Sequence, residues 1–251
     1  MTKKTLEIAV TSLSSAIIAE QSGADRLELC DNLEQGGITP SAGKIKMVKT
    51  AVKIPVYVLI RPRKADFHYS AEEFAVMLED IRSARAFGAD GIVSGALQAD
   101  GSIDLEKTRQ LIEVATPLPF TFHRAFDMCQ NSNQALEQLI DLGASRILTS
   151  GQKSNAVDGK DQIAALVKVA DGRIEMMAGG GIRPQNIAEL LTIEGLNAFH
   201  ASAKKRVGSK MQFKGSATMG SESLEAEFSW LETDGEVISA LRKTLNAKKR
   251  P

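Results

Sequence analysis

The chain has 251 residues, 43% hydrophobic and 25% charged, with 31 basic side chains balanced by 31 acidic ones. That length and apolar content suffice for one large core, and the balanced charge provides no net field to draw nucleic acid or an anionic membrane surface. No apolar run approaches the ~20 residues that cross a bilayer. The opening MTKKTLEIAV has no long apolar leader region and passes directly into a strand-like pattern, so a cytoplasmic protein is expected. Cys30 and Cys129 are the two cysteines, too few for a disulfide scaffold and ordinary in a reducing compartment.

From the N terminus, LEIAV at Leu6 reads as a first strand. GADRLEL at Gly23, VYVLI at Val56, GADGIV at Gly88, FTF at Phe120, GASRIL at Gly143, IEMMA at Ile174 and GLNAF at Gly195 add seven more. In four of these, glycine supplies the left-handed turn that closes a helix, and a short apolar run follows, of the kind buried on both faces in a parallel sheet. The stretches between are helical. In SAEEFAVMLEDIRSARAFG, Phe74, Leu78, Ile81 and Ala84 form one stripe, Ser70 caps the start and Glu73 completes a capping box. Eight strand-helix units in a chain of this length predict an α/β fold, a (β/α)8 TIM barrel, with residues 1–251 as a single domain. No Pro-, Ser- or Gly-rich linker divides it. The stretch 203–232, after strand eight and with scattered Gly and Ser, reads as a long loop: a lid, a subunit contact or a mobile surface excursion. The basic clusters at Lys204 and in the NAKKRP tail read as solvated surface.

In such a barrel, sites lie on the loops after the C-terminal ends of the strands. Side chains alternate along a strand, so Glu28 and Cys30 share one face while Leu27 and Leu29 share the other. The leucines suit the layer between barrel and helices. Glu28 and Cys30 therefore point into the barrel, as does Glu7 between Leu6 and Ile8. A buried carboxylate needs a partner; Arg61, Arg63, Arg124 and His123 are the candidates, which predicts a polar network at the barrel mouth. The run His123 to Asp127 is the densest cluster, placing a titratable base or metal ligand, the planar anion clamp Arg124 and a carboxylate within one turn. His200 also ends a strand, whereas His68 falls in a loop and reads as a surface residue. Neither HExxH nor a His/Cys pair at zinc spacing occurs, which argues against a preformed structural metal site. Gly179, Gly180 and Gly181 precede Pro184, so their backbone N–H groups could meet a phosphate or carboxylate at a helix start, completed by residues 201–204; a tight turn needing glycine is the other reading.

The series LELCDNLEQGGITPS, LIRPR followed by F-x-Y, HRAFD, LTSGQ, AGGGI and FHASA runs in this order through residues 5 to 203. It resembles the copper homeostasis protein CutC family. The resemblance implies a cytoplasmic TIM barrel, a homodimer or higher homo-oligomer, assigned to copper handling, with copper(I) binding as one expectation. Where the family pattern is LTSGG, this chain has Gln152. Cu(I) prefers soft ligands, with imidazole also suitable. Cys30 and Cys129 are the candidate metal ligands, with Met128, Met176, Met177, His123 and His200 as further donors, but there is no CxxC or Met-rich tract and the rim holds more arginine and carboxylate than sulfur. The residues themselves support a second reading. In it the protein is an enzyme of lyase, isomerase or hydrolase type on a small anionic, for example phosphorylated, substrate. Arg61, Arg63, Arg124, Gly180, Gly181 and His200 would hold that substrate, with Glu7, Glu28, His123 and Asp127 as acid and base. A third reading is an oligomeric scaffold whose long loop packs on a neighbour.

Overall fold

Each short apolar run becomes a strand of one closed barrel in the computed structural model, which describes residues 3–220 and 223–247. The strands are β1 (Thr5–Val10), β2 (Arg26–Leu29), β3 (Val56–Leu59), β4 (Gly91–Ser94), β5 (Phe120–Phe122), β6 (Arg146–Thr149), β7 (Glu175–Gly179) and β8 (Ala198–Ala201). All pair in parallel in chain order, and β8 pairs with β1 to close the ring. Helices α1 (Leu13–Gln21), α2 (Ala42–Ala51), α3 (Ala71–Ala86), α4 (Leu105–Ala115), α5 (Ser132–Asp141) and α6 (Lys160–Ala170) follow the first six strands. After β7 the helix shrinks to α7 (Ile187–Leu190). The predicted (β/α)8 barrel is thus what forms.

The four turn glycines perform the role the repeat suggests. Gly23, Gly88, Gly143 and Gly195 have φ of +101°, +85°, +81° and +84°, the left-handed conformation that ends a helix and turns the chain back to the barrel. At the other helix ends, Ser70 and Glu73 form both halves of the capping box on α3, and Phe74, Met77, Ile81 and Ala84 are buried beneath it. Leu78 lies at the edge of that stripe and is half-buried.

Alternation along the strands creates two layers. Leu6, Ile8, Leu27, Leu29, Ile147 and Phe199 face outward into the large core shared with the helices. Facing inward are two smaller apolar clusters, one of Cys30, Tyr57, Leu59 and Val93 and the other of Leu148, Met177 and Ala198. Burying each leucine fully stabilises the fold by roughly 1.5–3 kcal/mol. Within the barrel the Tyr57 ring lies between two guanidinium groups, Arg26 at 4.8 Å and Arg146 at 5.3 Å from its centroid. Arg146 in turn bonds Glu175 and donates to Thr121 Oγ1 at 3.0 Å.

The stretch 203–232 is a loop only in its middle, where residues 209–220 carry no helix or strand. It opens with β9 (Lys204–Gly208) and closes with β10 (Ser229–Thr233), which form an antiparallel two-stranded ribbon, and the turn α8 (Leu224–Glu227) precedes β10. The Glu232 carboxylate accepts hydrogen bonds from Ser12 Oγ at 2.6 Å and from Ser15, which ties the ribbon to the start of α1. The pairing uses backbone groups and two anchoring serines far away in sequence, signals that local composition does not carry. The last helix, α9 (Gly235–Asn246), then packs against α1 and α7. Residues 248–251 of the basic tail and 221–222 of the long segment lie outside the described residues.

Gly91 pairs in register with Tyr57, and a Cβ there would fall 2.5 Å from the tyrosine ring. Gly91→Ala is therefore expected to destabilise the barrel by about 1–3 kcal/mol through overpacking, seen as a lower denaturant midpoint with an unchanged slope.

Candidate functional site

Barrel closure places Glu7 in register with Arg26 on one side and His200 on the other. Glu7 is fully buried, and both its carboxylate oxygens are taken: Arg26 Nε lies 2.5 Å from Oε2 and His200 Nδ1 lies 2.8 Å from Oε1. These partners replace the ones the sequence suggested, because Arg61, Arg63, Arg124 and His123 lie beyond the strand ends, above the layer that holds Glu7. Arg26 went unnoticed in the sequence, although it sits two residues before Glu28 and so shares its face. Burial alone would raise the Glu7 carboxyl, but the Arg26 charge and the His200 hydrogen bond overcome it and hold the group down at about 2.

Glu28 is treated differently. It is buried, no described residue donates a hydrogen bond to its carboxyl, and its nearest charged neighbour is His200 Nε2 at 3.7 Å. Burial, reinforced by the neighbouring Glu7 charge, pushes the Glu28 carboxyl up to about 7 against the opposing pull of His200 and Arg26. His200 is raised as well: burial acts to lower it, but Glu28 and Glu7 outweigh that. Donor atoms of Glu7, Glu28 and His200 all lie within 4.8 Å of one another. With a guanidinium already seated on Glu7, the grouping is an ion-pair chain and not a cation cage.

Glu28 and His200 open onto a cavity of about 420 Å³ at the C-terminal mouth of the barrel. Its walls bring together many of the predicted residues: Arg61, His123, Arg124, Asp127, Gly180 and Gly181 all border it, as does Lys204 at the end of the stretch 201–204. His123 is 5% exposed, its ring tilted against that of Phe67 at 4.8 Å, and its Nδ1 accepts the Ala125 N–H at 3.2 Å. Burial and the nearby Arg61 charge pull His123 down to about 3, so it is neutral.

Several of these residues organise the rim. Arg61 donates to the carbonyls of Gln35, Gly37 and Ala65 at 2.8–3.1 Å, stitching together the loops after β2 and β3. Arg63 does not reach the cavity: it pairs with Glu73 at the start of α3, with Asp66 and with the His68 carbonyl. Asp127 accepts from Thr149 Oγ1, from the backbone N–H groups of Ser150 and Gln152, from Ser150 Oγ and from Arg124 Nε, which leaves no lone pair for base chemistry. Gln152, in the position where LTSGG would have glycine, adopts φ +59° and donates from Nε2 to the Cys129 carbonyl at 2.7 Å. Gly180 and Gly181 take φ of +101° and +69°, but the helix beyond them has only four residues and cannot supply a helix-end anion site. His68 is exposed, as read from the sequence.

The cysteines do not converge. Cys30 is fully buried in the inner cluster, its Sγ 3.7 Å from the Val10 carbonyl, while Cys129 belongs to the helix-side core. Burial pushes both thiols up, Cys129 to about 11, further aided by neighbouring Glu28 and Asp127 respectively.

A carboxyl raised from 4.5 to about 7 favours the folded state when protonated, so its contribution is present below pH 4.5 and is lost as pH rises through 7. Glu28→Gln keeps the neutral form at every pH. Its melting temperature should match the parent's near pH 5 and exceed it at pH 8; calorimetry across that range checks this.

Comparison with known proteins places the chain. The sequence pattern of the CutC family matches residues 4–205. A copper homeostasis protein cutC homolog from Homo sapiens is 47% identical over 243 residues, covering 96% of this chain and 88% of that protein. A family protein CutC from Chromobacterium violaceum is 45% identical over 244 residues, 97% of this chain and 98% of the other. The crystal structure of a CutC protein from Streptococcus agalactiae superposes with a TM-score of 0.75 at 35% identity, covering 78% of this chain and 97% of that one. A closed eight-stranded barrel carrying this set of mouth residues, matched over nearly its full length, belongs to the CutC family of copper homeostasis proteins.

Proposed function

We propose that this CutC-family barrel binds a small anionic metabolite in its mouth and acts on it by proton transfer, with Glu28 as the acid-base group. One observation carries the reading: a buried carboxyl that borders the cavity and receives no hydrogen bond from the described residues. A carboxyl with that environment is a proton donor or acceptor near neutral pH. Arg124, whose Nη1 faces no described partner, and Lys204 give one side of the cavity positive charge. Leu33, Leu59 and Phe67 line another part of it, which suits a short carbon skeleton. Cytoplasmic action fits two cysteines that are free and unpaired.

Family membership raises Cu(I) binding as the other reading, and the donor set does not fit it. Cu(I) needs two or more soft ligands around one point. Cys30 and Cys129 lie in different apolar clusters, Met177 Sδ accepts from Arg26 at 3.5 Å, and Met128 is the one sulfur bordering the mouth among the described residues. The copper role of the family is thus read here as indirect.

Two measurements test these readings. Thermal melting should rise with inorganic phosphate or a sugar phosphate by mass action, and Lys204→Ala should weaken that ligand roughly tenfold, about 1.4 kcal/mol, with the melting point of the free protein unchanged; no shift with any anion removes the proposal. In competition with a chromophoric Cu(I) chelator, the reduced protein should take up no stoichiometric copper that depends on Cys30. Copper lost specifically in Cys30→Ser would restore the direct role.

A further inference from the structure

The cavity holds a second polar group that nothing so far employs. His123 Nε2 is buried and has no hydrogen-bond partner among the described residues, although the ring borders the cavity. Its tautomer follows from geometry. The Ala125 N–H can only donate, so Nδ1 must carry a lone pair and the ring proton sits on Nε2. The ring is held in place by Phe67 at 4.8 Å and Phe122 at 6.0 Å, and by Gly95, where a Cβ would fall 2.9 Å from Nδ1. The molecule therefore maintains a neutral, oriented N–H donor beside a cavity, and bears its desolvation while it is unpaired. His200 cannot play this part, because both its ring nitrogens face carboxylates.

We infer that the substrate is a small carbonyl compound bearing an anionic group, and that the barrel enolises it: Glu28 removes a proton from the carbon next to the carbonyl while the His123 Nε2–H hydrogen-bonds the carbonyl oxygen. This rests on the small-anion reading above and gives it a reaction class. A buried base and a neutral donor serving one cavity is the pairing that proton abstraction beside a carbonyl requires. A neutral imidazole suits the oxygen because its N–H strengthens its bond as negative charge develops there and returns unchanged. The step balances without an oxidant or co-reactant. The C–H bond breaks, its electron pair forms the C=C bond of the enolate, and the C=O π pair moves onto the oxygen. The proton rests on Glu28 and returns to the same carbon, which regenerates the carbonyl compound with its α-hydrogen exchanged. Glu7, held by Arg26, keeps His200 oriented against Glu28 and acts as a positioning residue. Arg124 and Lys204 would take the anionic group.

Exchange in D2O tests the inference. Dihydroxyacetone phosphate, hydroxypyruvate and 2-oxobutyrate are each incubated with the protein, and loss of the α-proton is followed by 1H NMR. At least one should exchange tenfold or more above buffer, and Glu28→Gln should return that rate to background. His123→Phe should remove at least nine-tenths of the exchange above buffer, while His123→Gln, which retains an N–H donor, should recover part of it. Melting profiles show whether each variant is folded. Independently of any substrate, long-range 15N–1H spectra of the wild type should show the His123 ring as the neutral Nε2–H tautomer from pH 5 to 8. A cationic ring or the other tautomer overturns the inference. A melting shift with a probe but no exchange also overturns it and leaves the anion site standing, whereas neither shift nor exchange removes both.

Discussion

The rest of the structure depends on how one buried carboxylate is paired. Glu7 occupies a strand register flanked by Arg26 and His200, about one strand spacing away on either side. A charge in a barrel interior is tolerated only if its partners are close and well aimed, and here the pairing takes Nε of Arg26 and one nitrogen of His200. Glu28 receives only the other nitrogen, at 3.7 Å. Two carboxyls two strands of the same barrel supply are thereby driven in opposite directions, Glu7 to about 2 and Glu28 to about 7. Separation of that kind is what distinguishes a fixed electrostatic anchor from a group that can exchange protons.

Around this centre, polar residues divide into those that build the mouth and those that face it. Asp127 and Arg61 look like chemistry in the sequence, yet Asp127 gathers donors from the end of β6, and Arg61 holds three loop carbonyls. Satisfying so many backbone groups at a loop-rich rim fixes the loops that carry His123 and the glycine turn. Arg61 also has a second effect, since its charge beside His123 helps to keep that ring neutral. A rim arginine that binds three loop carbonyls thus also sets the electrical character of a cavity residue, and its own Nε is buried without a hydrogen-bond partner among the described residues.

The same division bears on copper. Family relatives are named for copper homeostasis, but this molecule has placed both its thiols in apolar clusters, where a thiol stays protonated and behaves as a small hydrophobic group. What gathers at the mouth is carboxyl, imidazole and cationic nitrogen. On the reading proposed above, a link to copper handling is to be sought in what the proposed reaction would produce or consume.

The architecture was legible in the chain because it is written locally. Glycine at Gly23, Gly88, Gly143 and Gly195 closes a helix wherever it occurs, and alternation at Leu27–Glu28–Leu29 assigns faces to a strand before its neighbours are known. That was enough to find the barrel and to send Glu7 and Glu28 inward. The pairing was not legible. Glu7 meets His200 across 193 residues only because β8 closes onto β1, and Arg61 and Arg63, two residues apart, diverge to different loops for reasons set by the carbonyls and carboxylates around them. The ribbon within 203–232 likewise depends on serines at the start of α1. Periodicity and turn chemistry act over a few residues, so the sequence by itself determined the elements, their order and which face each side chain takes. Which charges neutralise one another depends on distances of a few ångströms between remote strands, and barrel closure alone decided that Glu7 would be anchored while Glu28 and His123 were left facing the cavity.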